Sequence, residues 1–154
     1  ATEAAAHPWL GWNTDTTLPA STMGGDDGLL RHMRSQYLGS VSEVDYHMGT
    51  LFDWLKATGE WDRTMIVVTA DHGEQLGDHW QLGKLGFFRQ SREIPLIIRD
   101  PRPSADGGRG QRVEACTEHI DIAPTLIEAM GGVVPPVSSL CNCAKLSRFW
   151  AQRL

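Results

Sequence analysis

One stretch, residues 65–84, reads MIVVTADHGEQLGDHWQLGK and constrains the fold of this chain more than any other. It begins with four apolar residues, Met65 to Val68, most of them β-branched. A short run of this kind is typical of a strand buried on both faces of a parallel sheet. Asp71 and His72 follow soon after the run ends. Open α/β sheets present ligands and catalytic groups at the C-terminal ends of strands, so the sequence predicts a site directly after this strand.

The loop after this strand carries residue types that suit a divalent cation, first of all the carboxylate of Asp71 and the imidazole of His72. Its other chemistry-bearing side chains are Glu74, Asp78, His79 and Lys84. A bare Asp-His pair is also typical of an ordinary turn, in which Asp71 accepts backbone N–H bonds and His72 is exposed. The presence of two His, two Asp and one Glu within nine residues favours a site.

The sequence around this segment alternates helix and strand patterns. Apolar residues recur at steps of three and four between Asp27 and Gly59, with Asp26 and Asp27 at the start, which predicts a long helix that packs one face against the sheet. A second buried strand is predicted near Ile94 to Ile98, and a short edge strand at Gln111 to Cys116. A further helix should begin after Asp121, with Pro124 in its first turn, and end at Gly131; its predicted inward residues are Ile122, Leu126, Ile127 and Met130. This alternation indicates an α/β protein.

Length, charge and hydropathy exclude several classes of protein. The 154 residues suit one domain, and the net charge of −5, with scattered Lys and Arg, favours neither nucleic acid nor a membrane surface as partner. No apolar stretch approaches the roughly 20 residues of a membrane span, and no signal peptide is recognised, so the expected location is cytoplasmic. Three cysteines make no disulfide framework. Cys141 and Cys143 are interpreted as ordinary thiols in preference to part of a soft metal site.

Three collinear blocks carry a resemblance to a known family. Residues 69–98, residues 29–64 and residues 117–131 resemble the sulfatase branch of the alkaline phosphatase superfamily, and most of all its phosphonate monoester hydrolases and arylsulfatases. The resemblance implies a partial alkaline-phosphatase-like α/β/α sandwich over residues 27–132, with an incomplete, mostly parallel sheet and flanking helices. Residues 1–26 are then expected to form a loop or arm, and residues 133–154 a tail of uncertain structure.

The resemblance also implies roles for individual residues. Asp71 and His72 match two metal ligands, Lys84 matches the lysine that contacts the substrate anion, and Asp78 and His79 could orient these groups. The implied cofactor is a divalent ion, Mn²⁺, Zn²⁺ or Ca²⁺, and the implied substrate a small sulfate, phosphonate or phosphate ester. The family's nucleophile lies in a Cys-x-Pro-x-Arg or Ser-x-Pro-x-Arg motif, which this sequence lacks, as it lacks the family's further metal-binding Asp near the N-terminus. We therefore expect little or no turnover by the chain alone.

Two main functional hypotheses follow. In the first, the chain is part of a metal-dependent ester hydrolase and retains half of its metal site. In the second, it is a non-catalytic module whose uncovered apolar faces bind a second copy of the chain or a partner chain. A third hypothesis is a small metal-binding protein whose own ligands are Asp71, His72, Asp78 and His79.

Overall fold

The computed structural model describes residues 27–135. The predicted N-terminal arm and most of the tail lie outside the described residues, and so do Asp26, Cys141 and Cys143. The chain divides into two compact units between Arg99 and Asp100, and all of the predicted site residues lie in the first.

The first unit begins with the long helix α1, Asp27–Ala57. This confirms the predicted helix, and its end has the predicted cause. Gly59 adopts a left-handed φ of 75°, its N–H donates to the carbonyl of Lys56, and the N–H of Glu60 donates to the carbonyl of Leu55. These two bonds form a Schellman cap, which satisfies carbonyls that the helix itself leaves unpaired. No helix within residues 27–135 combines the length and apolarity needed to cross a bilayer.

Two short strands, β1 (Ile66–Thr69) and β2 (Leu96–Arg99), form a two-stranded sheet. They pair antiparallel, with Ile66 opposite Arg99 and Thr69 opposite Leu96. The parallel pairing that the apolar run favoured is therefore wrong for these two strands. An apolar run indicates burial and favours a parallel sheet, but it does not fix the direction of the strand that pairs with it. The connection between the two strands contains one α-helical turn, α2, Arg89–Arg92.

Little apolar surface is buried among the described residues. Leu55 is the buried residue of α1, and β1 is half-buried instead of buried on both faces. On the predicted inward stripe of α1, Val44 is 58% exposed and Leu51 is 52% exposed. The prediction that this stripe packs on the sheet is wrong for its central part. A helix of 31 residues is about 46 Å long, whereas strands of four residues span only about 13 Å, so this sheet cannot cover it.

The turn between α1 and β1 is held by Trp61. Its ring packs edge-on against Phe52, with centroids 5.6 Å apart, and the guanidinium of Arg99 lies over it. Arg99 also donates hydrogen bonds to the carbonyls of Trp61 and Thr64. The last residue of β2 thus fixes the backbone that enters β1, and with it the direction in which β1 delivers the residues that follow.

The second unit begins at Asp100, whose buried carboxylate accepts hydrogen bonds from Arg102. Burial raises the pKa of Asp100, but the hydrogen bonds and positive charge of Arg102 outweigh it and leave this pKa below its usual value. The same pairing raises the pKa of Arg102. A 3₁₀ segment, Pro103–Gly108, follows. The prediction of an edge strand at Gln111 to Cys116 is wrong, because no strand among residues 27–135 pairs with this segment.

Helix α3, Ile122–Ala129, confirms the last predicted element. Asp121 stands at the N-cap position, but its carboxylate accepts the N–H of Glu118 and so closes the preceding 3₁₀ turn. Gly131 and Gly132 end the helix with bonds to the carbonyls of Glu128 and Ile127. Met130, predicted to point inward, is exposed because it lies in the cap, beyond the last helical residue.

Candidate functional site

Asp71 and His72 follow β1 directly and are brought into contact with each other. The backbone N–H of His72 donates to Asp71 Oδ1 at 3.0 Å, and His72 Nε2 lies 3.3 Å from Asp71 Oδ2. The side chain of Asp71 is 84% exposed and that of His72 is 35% exposed. The end of β1 therefore presents an oxygen and a nitrogen side by side, and both can be reached by a small ligand.

The orientation of the His72 ring indicates which nitrogen is available. Nδ1 lies 2.8 Å from the carbonyl oxygen of Gly73, and a carbonyl can only accept, so this hydrogen bond requires the proton on Nδ1. In the neutral ring Nε2 then carries the lone pair, and it lies 3.3 Å from Asp71 Oδ2. Two acceptors this close repel each other unless a proton or a cation lies between them.

The separation of these two atoms suits a shared metal ion. Typical metal–nitrogen and metal–oxygen distances are about 2.0–2.2 Å, at which donors 3.3 Å apart subtend roughly 105° at the ion. The donor set, one imidazole and one carboxylate, is compatible with a divalent cation. Within residues 27–135 no group of three or more metal-binding side chains converges. The described part of the chain thus brings together two side chains of types that can bind a divalent cation, and further ligands would be needed for a complete metal site.

Gly73 fixes this pair against the segment that precedes β2. Its N–H donates to the carbonyl of Ser91 at 2.8 Å, and a Cβ on Gly73 would lie 1.9 Å from the carbonyl oxygen of Gln90. Any side chain here would collide with backbone atoms. Glycine is required at position 73 because the backbone of Gln90 approaches it closely. The φ angle of Gly73 is not the reason.

Asp78 and His79, which the resemblance suggested as orienting residues, make contacts of a different kind. Asp78 accepts a hydrogen bond from Gln90 of α2 at 3.1 Å and lies 3.6 Å from the guanidinium of Arg34 on α1. His79 has a left-handed φ of 55° and stacks on Phe88, with ring centroids 4.0 Å apart. These contacts hold the loop between α1 and α2. A role for either residue in orienting the metal ligands stays a prediction.

The short helix α2 forms the other border of this loop. Arg89 pairs with Glu93 across one turn, and this hydrogen bond and the opposite charge raise the pKa of Arg89. Ser91 is buried and faces the loop, where its hydroxyl accepts a hydrogen bond from Gln75.

Lys84, the predicted anion contact, is exposed. The backbones of its two neighbours in the chain, Gly83 and Leu85, are held by hydrogen bonds. The N–H of Gly83 donates to Glu74 Oε1 at 2.5 Å, and its carbonyl accepts the N–H of Gln75 at 2.9 Å. The carbonyl of Leu85 accepts from Gln75 Nε2 at 2.7 Å. The sequence pointed to Glu74 but not to Gln75, because nothing in a glutamine's sequence context shows that its amide will be buried.

Comparison with known proteins shows strong similarity across most of the chain. Residues 4–133 match the Sulfatase family. The multifunctional alkaline phosphatase superfamily protein PehA of Trinickia caryophylli is 41% identical over 158 residues, which cover 97% of this chain and 30% of that protein. Arylsulfatase K of Xenopus laevis is 34% identical over 106 residues, which cover 69% of this chain and 19% of that protein.

Solved structures agree with these relatives. The phosphonate monoester hydrolase of Agrobacterium radiobacter superposes with a TM-score of 0.64 at 47% identity, over 68% of this chain and 20% of that one. The phosphonate monoester hydrolase from Silicibacter pomeroyi gives a TM-score of 0.63 at 44% identity, over 69% of this chain and 20% of that one. The chain therefore spans between about a fifth and a third of the length of these relatives.

Proposed function

This chain belongs to the sulfatase family of the alkaline phosphatase superfamily, and from that premise we propose that it forms the part of an ester-hydrolase domain that supplies two metal ligands and a substrate-anion lysine. Its fold is alkaline-phosphatase-like α/β, as the resemblance implied. The proposed substrates are sulfate, phosphonate or phosphate esters, because relatives named as sulfatases and phosphonate monoester hydrolases are both similar to it.

The contact between Asp71 and His72 is the observation that carries this proposal. Asp71 Oδ2 and His72 Nε2 lie 3.3 Å apart, a separation at which the two atoms could share one bound cation. Asp71 and His72 would hold such an ion, Mn²⁺, Zn²⁺ or Ca²⁺, which would supply Lewis acidity towards the oxygens of a tetrahedral sulfur or phosphorus centre. Lys84 is exposed, and its compact positive charge is of a type that suits neutralisation of a non-bridging oxygen, the role proposed for it.

Turnover requires groups that this sequence does not contain. Neither Cys-x-Pro-x-Arg nor Ser-x-Pro-x-Arg occurs in it, so the family's nucleophile is missing, and the described residues bring together only two metal ligands. We therefore propose that the chain contributes to binding the metal ion and the substrate anion. We expect catalysis only when further polypeptide completes the site.

The uncovered stripe of α1 supports the same conclusion. Tyr37, Val41, Val44 and Leu51 lie on one face of the helix and are exposed. An apolar stripe of this extent on a structured helix marks a surface that another polypeptide covers. Because the related hydrolase structures contain about five times the length that matches this chain, the proposed occupant is the remaining portion of a sulfatase-family domain. A second copy of the chain is the competing occupant, as in the non-catalytic hypothesis.

Metal binding tests the first part of the proposal. Calorimetry with Mn²⁺, Zn²⁺ and Ca²⁺ should show binding to the parent chain that is lost in Asp71→Ala and in His72→Ala. Asp53→Ala is a matched control, because Asp53 is an exposed carboxylate of α1 that pairs with Lys56. Binding that survives both site substitutions would contradict the assignment of these ligands.

A chimera tests the second part. The segment of the Agrobacterium radiobacter phosphonate monoester hydrolase that matches this chain would be replaced by the corresponding residues of this chain. The chimera should hydrolyse a phosphonate monoester, and Asp71→Ala or Lys84→Ala within it should abolish or strongly reduce the rate. A folded chimera that binds metal but has no activity would refute the proposal that this segment supports the chemistry. The cytoplasmic location also stays a prediction, which cell fractionation tests.

A further inference from the structure

We propose that Glu74 and Gln75 are positioning residues, which set where Lys84 lies relative to Asp71 and His72. The inference rests on the proposed function, since it concerns the geometry of the same site. Lys84 comes twelve residues after His72, and a chain of that length could extend about 40 Å. Something must therefore hold the two parts of the site at a fixed separation, and the hydrogen bonds of residues 74 and 75 provide it.

Glu74 holds the residue before Lys84. Its Oε1 accepts the N–H of Gly83 at 2.5 Å and the N–H of Leu76 at 3.2 Å. Hydrogen bonds to a carboxylate are shorter and stronger than neutral ones. Leu76 has a left-handed φ of 49°, a conformation that is unfavourable for a residue with a Cβ and that persists only when surrounding contacts enforce it. Arg34 contributes to that enforcement, because its Nε donates to the carbonyl of Leu76 at 2.8 Å.

Gln75 holds the residue after Lys84. Its side chain is buried, with 1% of the residue exposed, and its Nε2 donates to the carbonyl of Leu85 at 2.7 Å and to Ser91 Oγ at 3.0 Å. Its backbone N–H donates to the carbonyl of Gly83. The backbone on both sides of Lys84 is thus bonded to two consecutive residues that begin two positions after His72. The Lys84 side chain itself stays exposed, free to meet a ligand.

The buried amide has an energetic disadvantage that points to this role. Gln75 Oε1 is buried and has no hydrogen-bond partner among the described residues. Leaving a buried acceptor unpaired destabilises a protein, so an apolar residue of similar size would fill the space at lower cost. What an apolar residue could not supply is the pair of donated bonds that tie Leu85 and Ser91 together.

The test combines two nuclear magnetic resonance measurements on the full chain. Amide hydrogen exchange at Gly83 reports the hydrogen bond to Glu74 without metal. Signal broadening by Mn²⁺ reports metal at Asp71 and His72, and a sulfate titration of the Mn²⁺-loaded chain reports anion binding at Lys84. Glu74→Ala should speed Gly83 exchange and weaken sulfate binding by about tenfold each, the effect of one lost hydrogen bond to a charged group, with Mn²⁺ affinity within twofold of the parent.

Matched variants separate positioning from general loss of structure. Glu74→Gln keeps an acceptor oxygen at the same reach and should restore most of the sulfate affinity. Glu74→Asp keeps the charge, but its shorter side chain cannot reach the N–H of Gly83. This variant is used in place of Glu74→Ala if Glu74→Ala does not fold. Gln75→Met removes only the donors to Leu85 and Ser91 and should also weaken sulfate binding. Glu43→Ala, an exposed carboxylate on α1, should change nothing.

Two results would overturn the inference. One is unchanged Gly83 exchange and sulfate affinity in Glu74→Ala; the other is an equal loss of Mn²⁺ and sulfate affinity, which would mean that Glu74 supports the metal ligands. Failure of the proposed function looks different, because the parent chain would then show no Mn²⁺ broadening near Asp71 while Gly83 exchange would still depend on Glu74.

Discussion

The guanidinium carbon of Arg99 lies 3.9 Å from the centre of the Trp61 ring, so the end of β2 covers the turn that enters β1. The same guanidinium donates to the carbonyls of Trp61 and Thr64 at 2.7 and 3.0 Å. Since Asp71 and His72 come directly after β1, this contact anchors the strand on which the candidate site depends.

Arg99→Ala should therefore destabilise the first unit. The side chain is only 17% exposed, and its removal leaves two carbonyls and an aromatic face without their partner. We expect the free energy of unfolding to fall by about 2 kcal/mol. Urea unfolding followed by tryptophan fluorescence measures this, with Arg63→Ala as control, because Arg63 makes an exposed ion pair with Glu60 that contributes little. Equal effects of the two substitutions would show that the stacking does not matter.

Gly73→Ala should be far more harmful than alanine at another glycine. The new Cβ would lie 1.9 Å from the carbonyl oxygen of Gln90, and backbone cannot move aside as a flexible side chain can. We expect a loss of at least about 1–3 kcal/mol in stability and a weakened metal affinity. Gly39→Ala on α1 has nothing within 4 Å of its Cβ and should stabilise by up to about 1 kcal/mol. Thermal unfolding and Mn²⁺ calorimetry on both variants decide the matter; a harmless Gly73→Ala would refute the close contact.

The lowered pKa of Asp100 predicts acid sensitivity of the second unit. Burial alone would raise the pKa of this carboxyl, but Arg102 brings it below the ordinary value of 3.8. A depressed native pKa means that the ionised form stabilises the fold above pH 3.8 and that this stability disappears as the pH falls through the lower native value.

Asp100→Asn should remove that part of the pH dependence and reduce stability at neutral pH. Asp106→Asn is the comparison, since the ion pair of Asp106 with Arg109 is exposed. Unfolding monitored by circular dichroism between about pH 2 and pH 7 measures both. A parallel pH profile for the parent and Asp100→Asn would contradict the assignment.

Val44→Lys should block association through α1 without unfolding the helix. Val44 is exposed in the middle of the uncovered stripe, so a charge there does not disturb a packed core but does oppose burial against another polypeptide. Ser42→Lys adds the same charge to the opposite face of α1 and is the control. Sedimentation velocity on the chain alone detects pairing of two copies, and addition of the complementary part of a family member detects the proposed occupant. Association unaffected by Val44→Lys would place the interface elsewhere.

Local chemistry explains what the sequence could predict. The ends of α1 and α3 follow from Gly59 and Gly131, whose left-handed φ angles few other residues adopt. Asp71 and His72 are adjacent in sequence, so their proximity at a strand end needed no knowledge of long-range contacts. Strand direction and helix coverage depend on partners distant in the chain, and there the parallel setting predicted for β1 and the packing predicted for the central part of α1 are wrong.

The same distinction applies within the site. In the sequence, Gln75 cannot be distinguished from a surface glutamine. It is buried in contacts with Leu85 and Ser91, which lie ten and sixteen residues further along the chain. Asp78 contacts Arg34 and Gln90, which come from elements on either side of the loop, and its role in orienting the metal ligands stays a prediction. A role that depends on contacts between residues distant in the sequence cannot be inferred from residue type and spacing.

The hydrogen bond from Gly73 to Ser91 joins the two ends of the loop that carries Lys84. A segment whose two ends are close together can be inserted into another protein at two neighbouring positions. The hydrogen bonds within the segment are kept in the new protein. Residues 71–92 therefore form a module whose two ends are joined, and a new α/β scaffold would also have to supply the hydrogen bond that Arg34 of α1 donates to the carbonyl of Leu76. Its glycine-rich interior could then be lengthened or shortened to fit anions of different size, while the backbone contact at Gly73 keeps the module closed.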